Sequence, residues 1–156
     1  MIKIRKYKEK DAEQVKKLIG EVLTEFFGKN LIIEWENFKD YAVFYIAEDN
    51  GKIIGSAALK DEGNKIGKLK RMYIYKEYRK KGLGQKLLNK ILNFAIKNKF
   101  DKIVLSTDKR LIAANNFYKK NGFHIIKTPD FKRDFKDLKK EDLDLTKVDC
   151  MEKRLK

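Results

Sequence analysis

Apolar and polar positions near the start of the chain follow two different periods. Ile2 and Ile4 alternate with charged residues, which predicts a strand over residues 2–7. After Asp11, a candidate helix N-cap, apolar residues recur every three or four positions, and Gly28 follows where a left-handed C-cap is common. The apolar face consists of Val15, Leu18, Ile19, Val22, Leu23 and Phe26. The pattern therefore predicts a strand followed by an amphipathic helix.

The next part of the chain has the pattern of an antiparallel meander. Asn50-Gly51, between two β-rich runs, is the strongest short signal for a hairpin turn. The predicted elements are a short helix at residues 34–41 and strands at 42–48, 52–59 and 65–75, with turns at 49–52 and 60–64.

The pattern changes to a helical period at residue 82. Helices are predicted at residues 82–97 and 110–120, the second with Leu111, Ala114, Phe117 and Tyr118 facing inward and a stop at Asn121-Gly122. Strands are predicted at residues 102–107, 123–127 and 147–155, with a charged excursion at 130–145. This order predicts an α/β fold, a mixed and mostly antiparallel central sheet flanked by helices.

Composition narrows the class of protein. The 156 residues, 42% of them hydrophobic, suit one packed domain over residues 1–156. No apolar run has the length of a membrane span, and residues 1–7 lack the apolar core of a secretory signal. One cysteine, Cys150, and one histidine, His124, exclude an intramolecular disulfide framework and a cysteine- or histidine-rich metal site. We therefore expect a cytoplasmic protein without a metal and without membrane association.

A net charge of +15 is the strongest signal in the composition. Only six of the 38 basic residues are arginines, whereas direct base readout favours the planar guanidinium group. A lysine-rich surface fits solubility, attraction of a polyanionic cofactor, or binding of nucleic acid. Charge alone leaves these three interpretations open.

A glycine-containing motif, Arg79-Lys80-Lys81-Gly82-Leu83-Gly84, lies between a predicted strand and a predicted helix. Glycines let the backbone turn sharply, and the first N–H groups of a helix bind phosphate groups well. A Walker-type phosphate loop is excluded because no Gly-Lys-Ser/Thr follows. A dinucleotide fold is disfavoured because Leu87 stands where a third small residue is needed and because the glycines follow a meander.

The motif and a second segment together resemble the GCN5-related N-acetyltransferase (GNAT) superfamily. The second segment is Phe117-Tyr118-Lys119-Lys120-Asn121-Gly122-Phe123, which ends the following helix. The resemblance is strongest over residues 65–123. It implies an acyltransferase that uses acetyl-CoA as donor and transfers the acetyl group to an amine acceptor.

The resemblance also implies roles for individual residues. The loop would bind the pyrophosphate of CoA, and the edge of the preceding strand would pair with the pantetheine arm and offer an N–H to the thioester carbonyl. Tyr118 matches the tyrosine that protonates the leaving thiolate, and is the predicted catalytic residue. The predicted cofactor-binding residues are Met72, Tyr73, Ile74, Arg79, Lys80, Lys81, Gly82, Leu83, Gly84, Gln85 and Asn115. By pattern alone, Tyr118 could be a core aromatic residue and Asn115 a polar residue of the helix surface.

The chain departs from the family pattern at the general base. The positions where many relatives carry a carboxylate hold Lys68 and Ser106. The remaining candidates are Glu48, Asp61, Glu62 and Asp108, or a chain of water molecules. We expect direct attack of a neutral primary amine in a ternary complex, although Cys150 is a conceivable acyl carrier. A lysine-rich nucleic-acid-binding module, an acceptor associated with RNA or the ribosome, and a homodimer are left open.

Overall fold

The computed structural model describes residues 1–28, 37–134 and 146–156. The strands are hydrogen-bonded in the order β1-β2-β3-β4-β5-β7-β6, mostly antiparallel, with β4 and β5 parallel. They are β1 (Ile2–Lys6), β2 (Val43–Asp49), β3 (Lys52–Gly63), β4 (Ile66–Ile74), β5 (Lys102–Asp108), β6 (His124–Ile125) and β7 (Val148–Arg154). The helices of the described residues are α1 (Ala12–Phe27), α2 (Leu83–Lys97) and α3 (Ile112–Lys120). The predicted α/β fold with a mixed, mostly antiparallel sheet is confirmed.

The chain divides into two compact units. The first comprises Met1–Lys60 and Lys70–Phe94, and the second Asp61–Leu69 and Ala95–Lys156. Strand β4 contributes its first residues to the second unit and its last residues to the first. The assignment of residues 1–156 to one acetyltransferase domain stays a prediction.

In the first unit, helices α1 and α2 pack against opposite faces of the strands. Ile46 of β2 belongs to the buried cluster that contains the apolar face of α1. The next residue, Ala47, faces the opposite side of the sheet. There its Cβ and the side chain of Leu87 of α2 both lie close to Gly55. Adjacent strand residues face opposite sides, so the two helices enclose the sheet of this unit. The buried cluster on the α1 side comprises Val15, Leu18, Ile19, Val22, Phe38, Phe44, Ile46, Ile53 and Ala58.

In the second unit, β5 pairs with β4 on one side and with β7 on the other. Ile66, Val104 and Cys150 form a buried cluster, against which Ile126 and Phe131 pack. Beside it, the buried ammonium of Lys102 contacts Asp134 at 2.9 Å and Glu152 at 3.0 Å. This ion cluster attaches the segment after β6 to the strands.

Several predicted boundaries differ from the structure. The predicted turn at residues 60–64 is wrong, because β3 continues to Gly63 and the chain turns at Asn64 and Lys65, both with positive φ. The strand predicted at 123–127 is limited to His124–Ile125. Of the short helix at 34–41, the structure describes a 3-10 turn at Phe38–Asp40, and its first residues lie outside the described part. Residues 135–145 of the charged excursion likewise lie outside it.

Asp11 directly precedes α1, but its side chain does not cap this helix. Its carboxylate accepts hydrogen bonds from both terminal nitrogens of Arg5, at 2.8 and 2.9 Å, and from the N–H of Lys8 at 2.8 Å. Burial, to 3% exposure, raises the pKa of Asp11, but these hydrogen bonds outweigh it and hold the pKa below its ordinary value. Asp11 therefore joins β1 to the start of α1.

This arrangement predicts a pH-dependent loss of stability in Asp11→Asn. We expect the free energy of unfolding to fall by about 1.5–3 kcal/mol at neutral pH, the usual contribution of hydrogen bonds to a charged group. Because the folded-state pKa is lowered, the contribution of Asp11 is present above about pH 4 and is lost as the pH falls through the folded-state pKa. Urea unfolding at pH 7 and pH 3 measures the difference, with the exposed Asp40→Asn as control. An equal loss at both pH values would contradict the charge-based explanation.

Candidate active site

The loop between β4 and α2 has the backbone geometry of an anion site. Lys80 and Gly82 have left-handed conformations, with φ of 61° and 80°. The first helical hydrogen bond of α2 runs from the N–H of Lys86 to the carbonyl of Gly82, at 3.1 Å. The N–H groups of Leu83 and Gly84 therefore have no acceptor within the helix. Together with the helix dipole, they favour a bound anion at this end of α2.

The surroundings of Gly82 leave room for a ligand. A Cβ placed on Gly82 would meet nothing within 4 Å, and the residue is exposed. Lys80 and Lys81 are also exposed, and the ammonium of Lys81 lies 5.9 Å from the centre of the Tyr78 ring. The loop thus combines an open backbone with two cationic side chains at its rim.

Arg79 is engaged in contacts within the first unit. Its Nε donates to the carbonyl of Ile74 at 2.9 Å, and its terminal nitrogens bind both carboxylate oxygens of Glu25 at 2.6 and 2.8 Å. The guanidinium carbon lies 4.9 Å from the centre of the Phe26 ring, and the backbone N–H donates to Lys76. The hydrogen bonds from Arg79 lower the pKa of Glu25. These contacts connect the end of α1 to the end of β4, and a direct cofactor contact of Arg79 stays a prediction.

The side chains of the last residues of β4 pack within the first unit. Tyr73 packs against the cluster on the α1 side, whereas Ile74 lies near Gly55 on the α2 side. Met72, Tyr73 and Ile74 are all half-buried. Arg71, just before them, has a φ of 54°, which is unusual for a residue other than glycine. A cofactor contact through main-chain groups is compatible with this packing.

In the second unit, Asn115 is the buried residue of α3, with 7% exposure. Its Nδ2 donates to the carbonyl of Asp108 at 3.1 Å, which fixes the orientation of the amide. Its Oδ1 is buried, and no donor from the described residues lies within hydrogen-bond distance. The interpretation of Asn115 as a helix-surface residue is therefore wrong. A buried acceptor without a protein donor is expected to bind a ligand or water.

Tyr118 lies one turn after Asn115 on α3 and is half-buried. Its ring centre lies 5.6 Å from that of Phe117 and 5.8 Å from that of Phe123. Leu111 and Ala114, predicted to face inward, are half-buried as well. The ring of Tyr118 thus has a packing role that is compatible with a further role of its hydroxyl group.

The candidates for a general base have different surroundings. Glu48 accepts a hydrogen bond from Arg5 at 3.2 Å, and Asp61 accepts one from the N–H of Gly63 at 2.8 Å. Asp108 binds Arg110 through both oxygens, and these hydrogen bonds lower its pKa. Glu62 is buried, with 2% exposure. Glu48 and Asp108 thus both accept hydrogen bonds from arginine side chains.

The two residues at the usual positions of the base lie close to Cys150. Lys68 is buried and its charge acts on the Cys150 thiol, and Ser106 is opposite Cys150 in the pairing of β5 with β7. Burial raises the pKa of Cys150 to about 11, so the thiol is protonated near neutral pH. A neutral, buried thiol is a poor nucleophile, which argues against Cys150 as an acyl carrier.

The structure brings the predicted residues together in two groups. Residues 79–85 adjoin the end of β4 in the first unit, and Asn115 and Tyr118 share α3 in the second. Sequence reasoning missed Glu25, the partner of Arg79, and Ser56, whose hydroxyl donates to the carbonyl of Arg71. For Ser56 a signal existed, since it is a polar residue within the apolar run of β3.

Two classes of feature are absent from the described residues. None of the helices in this part of the chain is long and apolar enough to cross a membrane. Over the same residues, no group of three or more histidine, cysteine, aspartate or glutamate side chains is arranged to hold a metal ion.

Comparison with known proteins assigns the family. The sequence profile described as the acetyltransferase (GNAT) family matches residues 12–123. The chain belongs to this family.

Individual relatives extend the comparison. N-acetylaspartate synthetase of Xenopus tropicalis is 37% identical over 81 residues, which cover 51% of this chain but only 30% of that protein. A GNAT-family acetyltransferase from Staphylococcus aureus superposes with a TM-score of 0.78 and 26% identity, covering 100% of both chains. The PaiA N-acetyltransferase of Thermoplasma acidophilum, solved in complex with coenzyme A, has a TM-score of 0.75 at 22% identity and 99% coverage of both chains. At 22% identity, the similarity to the Thermoplasma acidophilum protein shows a shared fold only.

A double-mutant cycle tests the contact between Glu25 and Arg79. We expect Glu25→Gln and Arg79→Gln to show a coupling of about 0.5–1 kcal/mol in the free energy of unfolding, which decreases with salt because the pair is partly exposed. Chemical denaturation at low and high salt measures it. If Arg79→Gln weakens acetyl-CoA binding while Glu25→Gln changes neither binding nor stability, the guanidinium acts on the cofactor instead.

Proposed function

We propose that this protein is an acetyltransferase that transfers the acetyl group of acetyl-CoA to a primary amine by direct attack in a ternary complex. The observation that carries the proposal is the open, left-handed backbone at Gly82 beside the first N–H groups of α2. Such an arrangement suits the pyrophosphate of CoA. The coenzyme A bound to the Thermoplasma acidophilum protein supports the same cofactor.

The second unit supplies an independent feature that fits this cofactor. The buried Oδ1 of Asn115 is an acceptor to which a ligand can donate, and the amides of a pantetheine arm are such donors. For this reason we assign Asn115 to cofactor binding. We also assign to it Lys80 and Lys81, which are exposed at the rim of the loop.

The proposed reaction forms a C–N bond and breaks a C–S bond, with two proton transfers. The nitrogen of a neutral amine attacks the thioester carbonyl, and a main-chain N–H of β4 stabilises the negative charge on the carbonyl oxygen. The C–S bond then breaks, and the Tyr118 hydroxyl gives a proton to the leaving thiolate. The nitrogen loses its extra proton to water, since Lys68 and Ser106 occupy the usual positions of the carboxylate. Holding both substrates in one complex supplies much of the acceleration.

The acceptor is proposed only as a class, a primary amine. The relative named N-acetylaspartate synthetase matches this chain over 30% of its own length, so its name does not identify the acceptor here. An acceptor associated with RNA or the ribosome, a lysine-rich nucleic-acid-binding module, a homodimer and a cytoplasmic location stay predictions. A screen of primary amines with thiol release as readout would identify the acceptor class.

Cofactor binding is tested by Gly82→Glu with Gly51→Glu as a matched control. Both glycines have strongly positive φ, 80° and 88°, and open space where a Cβ would be, so the backbone strain is similar. Acetyl-CoA at a hundredfold excess over Kd should stabilise the parent by about 2.7 kcal/mol. Gly82→Glu should lose this stabilisation, because its carboxylate enters the anion site, whereas Gly51→Glu should keep it. Thermal unfolding with and without acetyl-CoA measures both.

Two outcomes would contradict different parts of this proposal. A parent protein that does not shift at millimolar acetyl-CoA would contradict acetyl-CoA as the donor. A Gly82→Glu variant that still shifts as the parent does would contradict the loop as the pyrophosphate site.

The role of Tyr118 is tested by Tyr118→Phe. The change removes the hydroxyl and keeps the ring between Phe117 and Phe123, so acetyl-CoA binding should change little. We expect kcat to fall on the order of 10²-fold if the hydroxyl protonates the thiolate. Steady-state kinetics with an acceptor from the screen and calorimetric Kd values measure the two effects, with Tyr45→Phe as control. Full turnover with a lowered melting temperature would show that Tyr118 is only a core residue.

A further inference from the structure

Ser56 is a polar side chain in the middle of the buried part of β3. Its exposure is 0%, and the residues from Ile53 to Leu59 are all buried. A buried hydroxyl requires a hydrogen-bond partner. Here the Oγ of Ser56 donates to the carbonyl oxygen of Arg71 at 2.6 Å.

The acceptor of this hydrogen bond belongs to a strained peptide group. Arg71 has a φ of 54° although it lies within β4 and is not a glycine. A left-handed residue persists within a strand only when its surroundings hold it there. The short hydrogen bond from Ser56 is such a contact.

Because the peptide bond is planar, the hydrogen bond to the Arg71 carbonyl also sets the direction of the Met72 N–H. A trans peptide is planar, and its N–H points opposite to its carbonyl. The carbonyl of Arg71 is directed at Ser56 on β3. The N–H of Met72, in the same peptide group, is therefore directed away from Ser56.

We infer that Ser56 is a positioning residue for the acetyl transfer, because it orients the N–H of Met72 toward the thioester carbonyl oxygen. This inference rests on the proposed function, in which an N–H of β4 stabilises the developing oxyanion. A donor in this role acts only if it is already oriented before the reaction. The hydrogen bond from Ser56 also polarises the peptide and makes its N–H a stronger donor.

Infrared spectroscopy of bound acetyl-CoA tests the inference without knowledge of the acceptor. With acetyl-CoA carrying ¹³C at the thioester carbonyl, binding to the parent should lower the carbonyl stretching frequency, because the N–H polarises the bond. In Ser56→Ala this shift should be largely lost, while the calorimetric Kd of acetyl-CoA stays within about twofold, because the pyrophosphate loop is unchanged. A parent that does not bind acetyl-CoA would contradict the proposed function rather than this inference.

Ala58→Gly is the matched control. Ala58 is also fully buried on β3, two residues further along, and the change also removes one small group. It should lower the melting temperature without changing the carbonyl shift. An equal carbonyl shift in the parent and Ser56→Ala, or an equal loss in Ser56→Ala and Ala58→Gly, would overturn the inference.

Kinetics and a conservative variant complete the test. With an acceptor from the screen, kcat of Ser56→Ala should fall. The fall should be smaller than the loss of about 10²–10³-fold that follows complete removal of an oxyanion donor. Ser56→Cys keeps a weak donor and should have an intermediate carbonyl shift and kcat. If Ser56→Ala does not fold, Ser56→Cys alone tests the inference. A carbonyl shift and a kcat equal to those of the parent would then overturn it.

Discussion

The orientation of backbone N–H groups is the feature on which the proposed site depends. One group lies at the start of α2, where the first N–H groups of the helix have no acceptor within it, and the other lies at Arg71 of β4, where a left-handed residue turns a peptide group. Such groups are useful only when the surrounding chain holds them in one orientation. In the first unit Glu25 holds Arg79 at the loop, and Ser56 holds the peptide between Arg71 and Met72.

The high net charge has a smaller part in this arrangement than the composition suggests. Arg79 and Arg5 are engaged with carboxylates within the first unit, and Lys102 and Arg133 with carboxylates in the second. The cations at the rim of the loop, Lys80 and Lys81, are exposed. They attract an anion over distance, but salt screens exposed charges strongly. The fixed N–H groups are better suited to define where the anion lies.

The second unit contributes side chains rather than backbone groups. The amide nitrogen of Asn115 is bound to the end of β5, and its oxygen has no donor among the residues that the structure describes, while Tyr118 is supported by two aromatic rings. Both side chains are thus oriented by their own unit. Burial keeps the thiol of Cys150 protonated, which disfavours it as an acyl carrier, and position 68 holds a buried lysine rather than a carboxylate.

The sequence by itself determined the helices, most strands, the left-handed Gly28 and the hairpin at Asn50-Gly51, because periodicity and turn chemistry act over a few neighbouring residues. It also determined the family, through two short segments in the right order. The tertiary structure alone decided which polar groups meet. Arg79 binds Glu25, which lies 54 positions away in the sequence, and Ser56 binds Arg71, which lies 15 positions away. Asn115 is buried, although its sequence context did not indicate this. Long-range pairing and burial depend on how strands and helices pack, and no local pattern encodes them.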